Sequence, residues 1–313
     1  MNLKVKPSIF KKYSIHSISP IISANQFMKS LIGFFILLFS VPAIAQTNPE
    51  VYVGDFEYSD GGITIQNLKN VSQSPFYDNQ PSFLPDGSGF LFASIRPDES
   101  SLDIRHYDID SDSTTWVTDL PGGEYSPTVM PDGNYFSAIR SEPEQLLWKI
   151  PLREGEATVL VPNEIIGYHT WYDENTLYTF VLTEPFTFVE FKLGDNIQRK
   201  VIAEHPGRSI HKVPGKKEVS FVDKSDSTNW IAKTYSPETQ KFKTLVSTPK
   251  NSEDMFWING ETFLIGEANN LMVWNEDAGY TGPYKVFDDE SGQITRLALS
   301  PNRDKIALVF VAE

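Results

Sequence analysis

Two stretches of the chain share one pattern and decide the fold: residues 80–92 are QPSFLPDGSGFLF and residues 126–136 are SPTVMPDGNYF. In both, a short apolar run is followed by Pro-Asp-Gly and then by a second apolar run. Proline fixes φ at the first corner of a β-turn, aspartate accepts hydrogen bonds from the turn backbone, and glycine takes the last dihedral without a Cβ clash. The pattern therefore predicts a β-hairpin at each place.

Four weaker copies of this hairpin follow, so the chain contains a six-fold repeat. The six turns start 41 to 46 residues apart, at Pro85, Pro131, Asp173, Pro214, Asn259 and Pro301. A second hairpin lies between successive copies, as at residues 106–117 and 147–160, and one such hairpin comes first, at residues 51–68. Each unit thus holds four short strands in the ~40–50 residues typical of a propeller blade.

The order of the strands predicts how the ring closes. The chain starts with the third and fourth strands of one unit and ends with the first and second strands of that unit. Joining the two ends of the chain in one blade removes the open sheet edge. We therefore predict an all-β fold: a six-bladed β-propeller of four-stranded blades, whose last blade is closed by the N-terminal strands (2+2 closure). An irregular β-sandwich with accidental periodicity is the alternative.

The first 45 residues predict an export signal. Met28 and Lys29 precede the apolar run 31–40, and Ala43-Ile44-Ala45 is typical of a signal-peptidase site. The apolar stretch is shorter than the ~20 residues that span a bilayer, although an uncleaved anchor is the alternative. Residues 1–27 are either a long N-terminal region of the signal peptide or the product of a mis-assigned start codon. We favour Met28 as the true first residue. Residues 46–313 are then predicted to form a single propeller domain without a membrane span. We expect this domain in the periplasm or, as the alternative, secreted.

Composition excludes several classes of protein. The chain has no cysteine, which excludes disulfides, Cys-ligated zinc and a cysteine nucleophile. It has 41 acidic and 27 basic residues, and residues 1–45 contribute five of the lysines and no acid. An acidic mature chain is not expected to bind nucleic acid, which requires a basic face. The net charge favours a basic or cation-bridged partner, and we expect a monomer.

The repeat resembles a known family. Residues 78–87, DNQPSFLPDG, resemble the Pro-Asp-Gly repeat of the TolB-like (WD-repeat-like) β-propellers, and residues 103–107, DIRHY, stand where the third strand of that unit belongs. The resemblance covers residues 51–313 and is strong in the first two units. It implies a propeller whose relatives are mostly non-enzymatic platforms of the bacterial envelope. We therefore predict an exported, non-enzymatic binding or scaffolding module whose partner is an envelope protein, a peptide or a glycan.

Binding in propellers usually involves the loops at one end of the channel, just before the innermost strands. Aromatic and arginine side chains there are the usual anchors of an interface. On position and polarity we predict binding residues in these loops: Asp78, Asn79, Tyr125, Tyr168, His169 and Arg296.

The sequence offers no clear catalytic motif. It contains no G-x-S-x-G elbow, no H-E-x-x-H and no phosphate-binding glycine loop, so we predict no catalytic residue, no metal and no cofactor. The alternative is a metal-dependent propeller enzyme, similar to a lactonase or a polysaccharide lyase, with its site in the central channel. His169 and His211 lie on neighbouring innermost strands one repeat position apart. Alternation along a strand turns such residues to different faces, which argues against a shared metal.

Overall fold

The computed structural model describes residues 48–60, 62–97, 101–287 and 291–312. Within these ranges the chain forms 24 β-strands in six four-stranded antiparallel sheets, and no helix. A membrane-spanning helix is accordingly not found in the described part of the chain. The predicted export signal, residues 1–45, lies outside the described residues.

Five of the sheets are built from consecutive strands, and we number them as blades 1 to 5. Blade 1 contains β3 (Asp78–Phe83), β4 (Gly89–Ile95), β5 (Leu102–Asp108) and β6 (Ser113–Trp116). Blade 2 contains β7 (Glu124–Val129), β8 (Tyr135–Arg140), β9 (Leu146–Pro151) and β10 (Thr158–Val161). Blade 3 contains β11 (Ile166–Trp171), β12 (Thr176–Val181), β13 (Thr187–Lys192) and β14 (Gln198–Glu204).

The remaining blades complete the ring. Blade 4 contains β15 (Pro206–Lys212), β16 (Val219–Asp223), β17 (Ile231–Ser236) and β18 (Lys241–Ser247). Blade 5 contains β19 (Met255–Trp257), β20 (Thr262–Glu267), β21 (Asn270–Asn275) and β22 (Gly279–Lys285). Blade 6 joins both ends of the chain, and contains β23 (Gly292–Leu299), β24 (Lys305–Ala312), β1 (Glu50–Ser59) and β2 (Gly62–Asn70).

The Pro-Asp-Gly turns form as their chemistry predicts. The Oδ1 atom of Asp86 accepts a hydrogen bond from the Ser88 amide at 3.0 Å, and that of Asp132 accepts one from the Asn134 amide at 2.9 Å. Gly87 and Gly133 follow with φ of 75° and 67°, in the left-handed region where glycine avoids a Cβ clash. These turns connect the first two strands of blades 1 and 2.

The first strand of every blade lies at the centre of the ring. Strand β3 contacts β7, β7 contacts β11, and the series continues through β15, β19 and β23 back to β3. Six clusters of buried apolar residues match this arrangement, because each cluster combines side chains of two adjacent blades. The core therefore lies between the blades, and the six-bladed prediction with its 2+2 closure is confirmed.

Candidate functional site: the ring at the channel mouth

The six innermost strands enclose a central channel. Its cavity has a volume of about 360 Å³ and is lined by residues of β3, β7, β11, β15 and β23 and of the segment 254–257. A cavity of this size, at the axis of a rigid ring, falls within the range of small-ligand pockets.

One repeat position supplies a ring of side chains to this channel. In each blade, the residue just after the innermost strand donates its amide to a carbonyl oxygen at the start of the second strand or, in blade 4, one residue before it. These donors are Leu84, Met130, Tyr172, Val213, Ile258 and Ser300. The residue four positions earlier lines the channel in all six blades. We call these residues the mouth ring: Gln80, Ser126, Tyr168, Ser209, Asp254 and Arg296.

Two members of the mouth ring combine a β-bulge with a positive φ. Gln80 and Ser126 have φ of 62° and 50°, and the strand register shifts at both places. Each is followed by a proline, which has no amide to donate to the sheet and so tolerates the interruption. The Ser126 amide donates to Oε1 of Gln80 at 2.7 Å, which links the two bulges. Bulges of this kind re-aim side chains and are frequent beside functional sites.

Two arginines converge on one carboxylate in the ring. Arg208 donates from Nη2 to Oδ2 of Asp254 at 2.6 Å and from Nε to Oδ1 at 3.1 Å. Arg296 donates from Nη1 to the same Oδ1 and to the Thr295 carbonyl oxygen. The Arg296 guanidinium also lies 5.3 Å from the ring centroid of Tyr168, which belongs to the blade on the opposite side of the channel. Arg296 therefore reaches across the mouth.

A second carboxylate supports this arrangement from behind. Oε2 of Glu253 accepts the backbone amide of Arg208 at 2.8 Å, and its Oε1 lies 3.2 Å from Nζ of Lys224. A Cβ on Gly207 would lie 2.5 Å from the Glu253 carboxylate, so a larger residue there would displace this carboxylate. The carboxylates of Glu253 and Asp254 are thus largely buried beneath cations that are more exposed.

The structure brings three of the six predicted residues together. Tyr168, His169 and Arg296 all line the channel cavity. Asp78 is fully buried, and burial raises the pKa of its carboxyl group. Asn79 is also buried and supports the bulge, because its Oδ1 accepts the amide of Gln80 at 2.7 Å.

Tyr125 packs between blades and does not line the channel cavity. Asn79 and Tyr125 each stand one residue before a mouth-ring position, at the start of a bulge. A bulge adds one residue and reverses the alternation of side chains. The six predicted residues do not include Gln80, Ser126, Ser209, Asp254 or the neighbouring Arg208. Counting five residues back from the start of each turn would have found the ring itself.

The two channel histidines do not form a common centre. Nε2 of His169 lies 2.6 Å from Oγ of Ser137 in the preceding blade, whereas the His211 ring packs against Phe256 in the following blade. Burial lowers the pKa of His169 to about 3 and that of His211 to about 4, so both are neutral at neutral pH. Among the described residues, no three His, Asp or Glu side chains are placed to share a metal ion.

Comparisons with known proteins show structural similarity at the level of the fold. No protein-family model matches the chain, and no curated protein matches its sequence. A protein described as TolB from Agrobacterium tumefaciens superposes with a TM-score of 0.67 and 12% identity, over 85% of this chain and 99% of the other. TolB from Acinetobacter baumannii gives a TM-score of 0.55 and 13% identity, over 85% of this chain and 64% of the other. The chain has the TolB-like propeller fold.

An enzyme shares this architecture. An oligogalacturonate lyase from Vibrio parahaemolyticus superposes with a TM-score of 0.52 and 14% identity, over 86% of this chain and 98% of the other. Identities this low establish the fold alone, so function has to be argued from the site.

The channel of this TolB-like propeller differs in charge from the whole chain. The net charge of the sequence is −14, yet the channel cavity is lined by four cationic residues, Arg208, Lys212, Arg296 and Arg303. Among the described residues that line it, the single carboxylate is that of Asp254. Whole-chain charge predicts a basic partner, whereas the mouth itself favours an acidic group, because a concave cationic surface concentrates anions.

Proposed function

We propose that the protein is an exported, non-enzymatic binding module of the cell envelope, and that the mouth ring is its binding site. The observation that carries the proposal is the pairing of Arg208 and Arg296 on Asp254 beside Tyr168. Arginine and tyrosine are among the residues most enriched in interface anchors, and here they stand on innermost strands at the mouth of a cavity. The likeness to TolB structures supports a platform role at the level of fold.

The mouth is held in place before any partner arrives. Arg296 is bonded to Asp254 and to the Thr295 carbonyl, and its side chain is 16% exposed. Side chains that are already ordered lose little entropy on binding, which favours affinity. The ring therefore supplies a preformed contact surface.

The alternative, a metal-dependent lyase or lactonase, has weaker support. The likeness to the oligogalacturonate lyase favours it at the level of fold. His169 and His211 are directed to different neighbours, and their low pKa values make them poor general bases near neutral pH. A metal that copurifies with the protein and is lost in His169→Ala would support the enzyme.

Crosslinking and affinity purification from the protein's own envelope fraction tests the proposal. The wild type is compared with Tyr168→Ala and with the control Tyr58→Ala, which changes a partly exposed tyrosine of blade 6 away from the channel lining. We expect one dominant partner with the wild type and with Tyr58→Ala, and its loss with Tyr168→Ala. Equal recovery with both variants, or no partner with any of them, would reject the proposal.

A further inference from the structure

The mouth ring contains hydrogen-bond donors that have no acceptor within the described part of the chain. Arg296 uses both N–H groups of Nη1, but its Nε and Nη2 have no hydrogen-bond partner there. Gln80 accepts a bond at Oε1, while its Nε2 has none. The hydroxyl of Ser126 is also without a partner, although this residue is only 9% exposed.

These unused groups point to an oxyanion. The Nε and Nη2 edge of an arginine presents parallel N–H bonds that match the two oxygens of a carboxylate. A buried hydroxyl without a partner carries a desolvation cost that a ligand oxygen would remove. Three adjacent blades, 6, 1 and 2, contribute these donors to one cavity, so the ring is suited to a ligand group that lies in the channel mouth.

An apolar surface continues outward from this group. The ring of Tyr168 meets Phe180 edge-on with centroids 5.7 Å apart, and Phe180 lies 5.0 Å from Phe186. Phe186 is 46% exposed, and two aliphatic neighbours on blade 3, Ile165 and Leu182, are 52% and 38% exposed. We call Ile165, Leu182 and Phe186 the blade-3 patch.

A shallow pocket connects the blade-3 patch to the mouth ring. This pocket, of about 260 Å³, is lined by Phe186 and also by Tyr168 and Arg208, both of which line the channel. Aliphatic side chains offer no hydrogen bonds to sugar hydroxyls, so the patch favours an apolar amino-acid side chain over a glycan. Through Phe186, the blade-3 patch thus lies beside the charged residues of the mouth.

We infer that the mouth ring and the blade-3 patch together bind a peptide segment of the partner in which a carboxylate is close to a large apolar side chain. The carboxylate accepts hydrogen bonds from Arg296 and from the donors of Gln80 and Ser126. The apolar side chain packs on the blade-3 patch. The inference rests on the proposed binding function and adds the chemistry of the partner.

Selection from a displayed library of random short peptides on the purified protein tests this inference. A selected peptide is then titrated by fluorescence polarisation. We expect the selected sequences to combine Asp, Glu or a free carboxyl terminus with Leu, Ile, Phe or Met a few residues away. Selected sequences without a carboxylate, or with one but without an apolar neighbour, would overturn the inference.

Matched variants identify the two contacts. Arg296→Gln is expected to weaken binding of the selected peptide at least about tenfold, since it removes a charge-assisted pair. Its control is Arg153→Gln, an exposed arginine that does not line the channel. Phe186→Ser is expected to weaken binding several-fold, and its control is Phe242→Ser, which has a similar exposure of 48% but lies on the outer strand of blade 4. If a variant and its control weaken binding equally, the contact assigned to that variant's residue is rejected.

Failure of the inference and failure of the proposed function give different results. Binding of an oligogalacturonate probe with no selected peptide would overturn the peptide inference and leave a binding module. The peptide inference would also be overturned if selected peptides bound equally to wild type and Arg296→Gln. If partner capture were still lost in Tyr168→Ala, the proposed binding function would stand. No bound peptide, no bound oligosaccharide and no crosslinked partner would reject both.

Discussion

Val51 of β1 lies opposite Val309 of β24 in blade 6, although nearly the whole described chain separates them. Both side chains are fully buried, and both belong to the apolar cluster between blade 6 and blade 1. The register runs without a break from Glu50 opposite Phe310 to Asp55 opposite Lys305. The two ends of the described chain are thus joined by a strand pair and a shared core, which holds the ring closed and the mouth ring in position.

Val309→Ala is expected to destabilise the protein by about 2–3 kcal/mol, because it removes two buried methyl groups and leaves a cavity at the closure. Urea unfolding measures the loss. The control is Val201→Ala on the outer strand β14, where the side chain is 46% exposed and a change within about 0.5 kcal/mol is expected. Equal losses would show that the closure is not a critical interface.

Ser137→Ala is expected to cost more stability than Ser220→Ala, by about 1 kcal/mol. The Ser137 hydroxyl donates to the Thr128 carbonyl and accepts from Nε1 of Trp171 at 2.9 Å, while Nε2 of His169 lies 2.6 Å away. Ser220 makes the same contact with Trp257 and donates to the His211 carbonyl oxygen at 3.3 Å, but within the described residues no histidine ring nitrogen bonds to it. Removing Ser137 therefore leaves two buried ring nitrogens without a partner, and removing Ser220 leaves one.

Chemical unfolding of the two serine variants and the wild type, at one pH near neutrality, compares these costs directly. The two sites are equivalent positions in blades 2 and 4, so they serve as controls for each other. A larger loss in Ser220→Ala would contradict the role given to His169.

Glu124 is expected to make stability fall as the pH rises. Burial, together with the nearby carboxylate of Asp103, raises the pKa of Glu124 to about 8 from 4.5. Between these two values the folded state holds a proton that the unfolded state has released, so stability is complete below about pH 4.5 and is lost as the pH rises through 8. Each unit of the shift is worth about 1.4 kcal/mol.

Unfolding free energies at pH 7 and pH 9 test this prediction, because the neutral histidines His169 and His211 reduce stability only below their ordinary pKa of 6.5. Glu124→Gln should remove much of the fall between these values. The same slope in wild type and variant would exclude Glu124 as its cause.

Asp254→Asn is expected to lower stability by about 1–2 kcal/mol at low salt, because two arginines lose the charge that they share. We also expect phosphate to raise the melting temperature of the variant more than that of the wild type. The control is Glu276→Gln, since Glu276 also pairs with two cations, Lys216 and Lys243, but at an exposed position. Exposed pairs contribute little, so the control should change by less than about 0.5 kcal/mol.

Melting curves in sodium chloride and in phosphate at equal ionic strength separate general screening from anion binding. If phosphate stabilises Asp254→Asn no more than it stabilises Glu276→Gln, the mouth does not attract anions.

The repeat made the architecture predictable. Pro-Asp-Gly turns at Pro85 and Pro131 act locally, because the dihedral preferences of three residues suffice to form a hairpin. The spacing of the six turns then predicts the number of blades, and the offset order of the hairpins predicts the closure. Residues 142–150 have an apolar spacing that also suits a helix, but the repeat predicts a strand there, and the chain forms β9.

The site was less predictable, because tertiary structure decides where a side chain points. The bulges at Gln80 and Ser126 shift the alternation of side chains by one residue. As a result Asn79 is buried, and its neighbour Gln80 lines the channel instead. The sequence by itself determined the strands, the turns and the ring, since these follow from local preferences repeated six times. Only the folded ring brought Arg208, Asp254 and Arg296 together, because charges distant in the sequence meet on the axis only after the blades have closed.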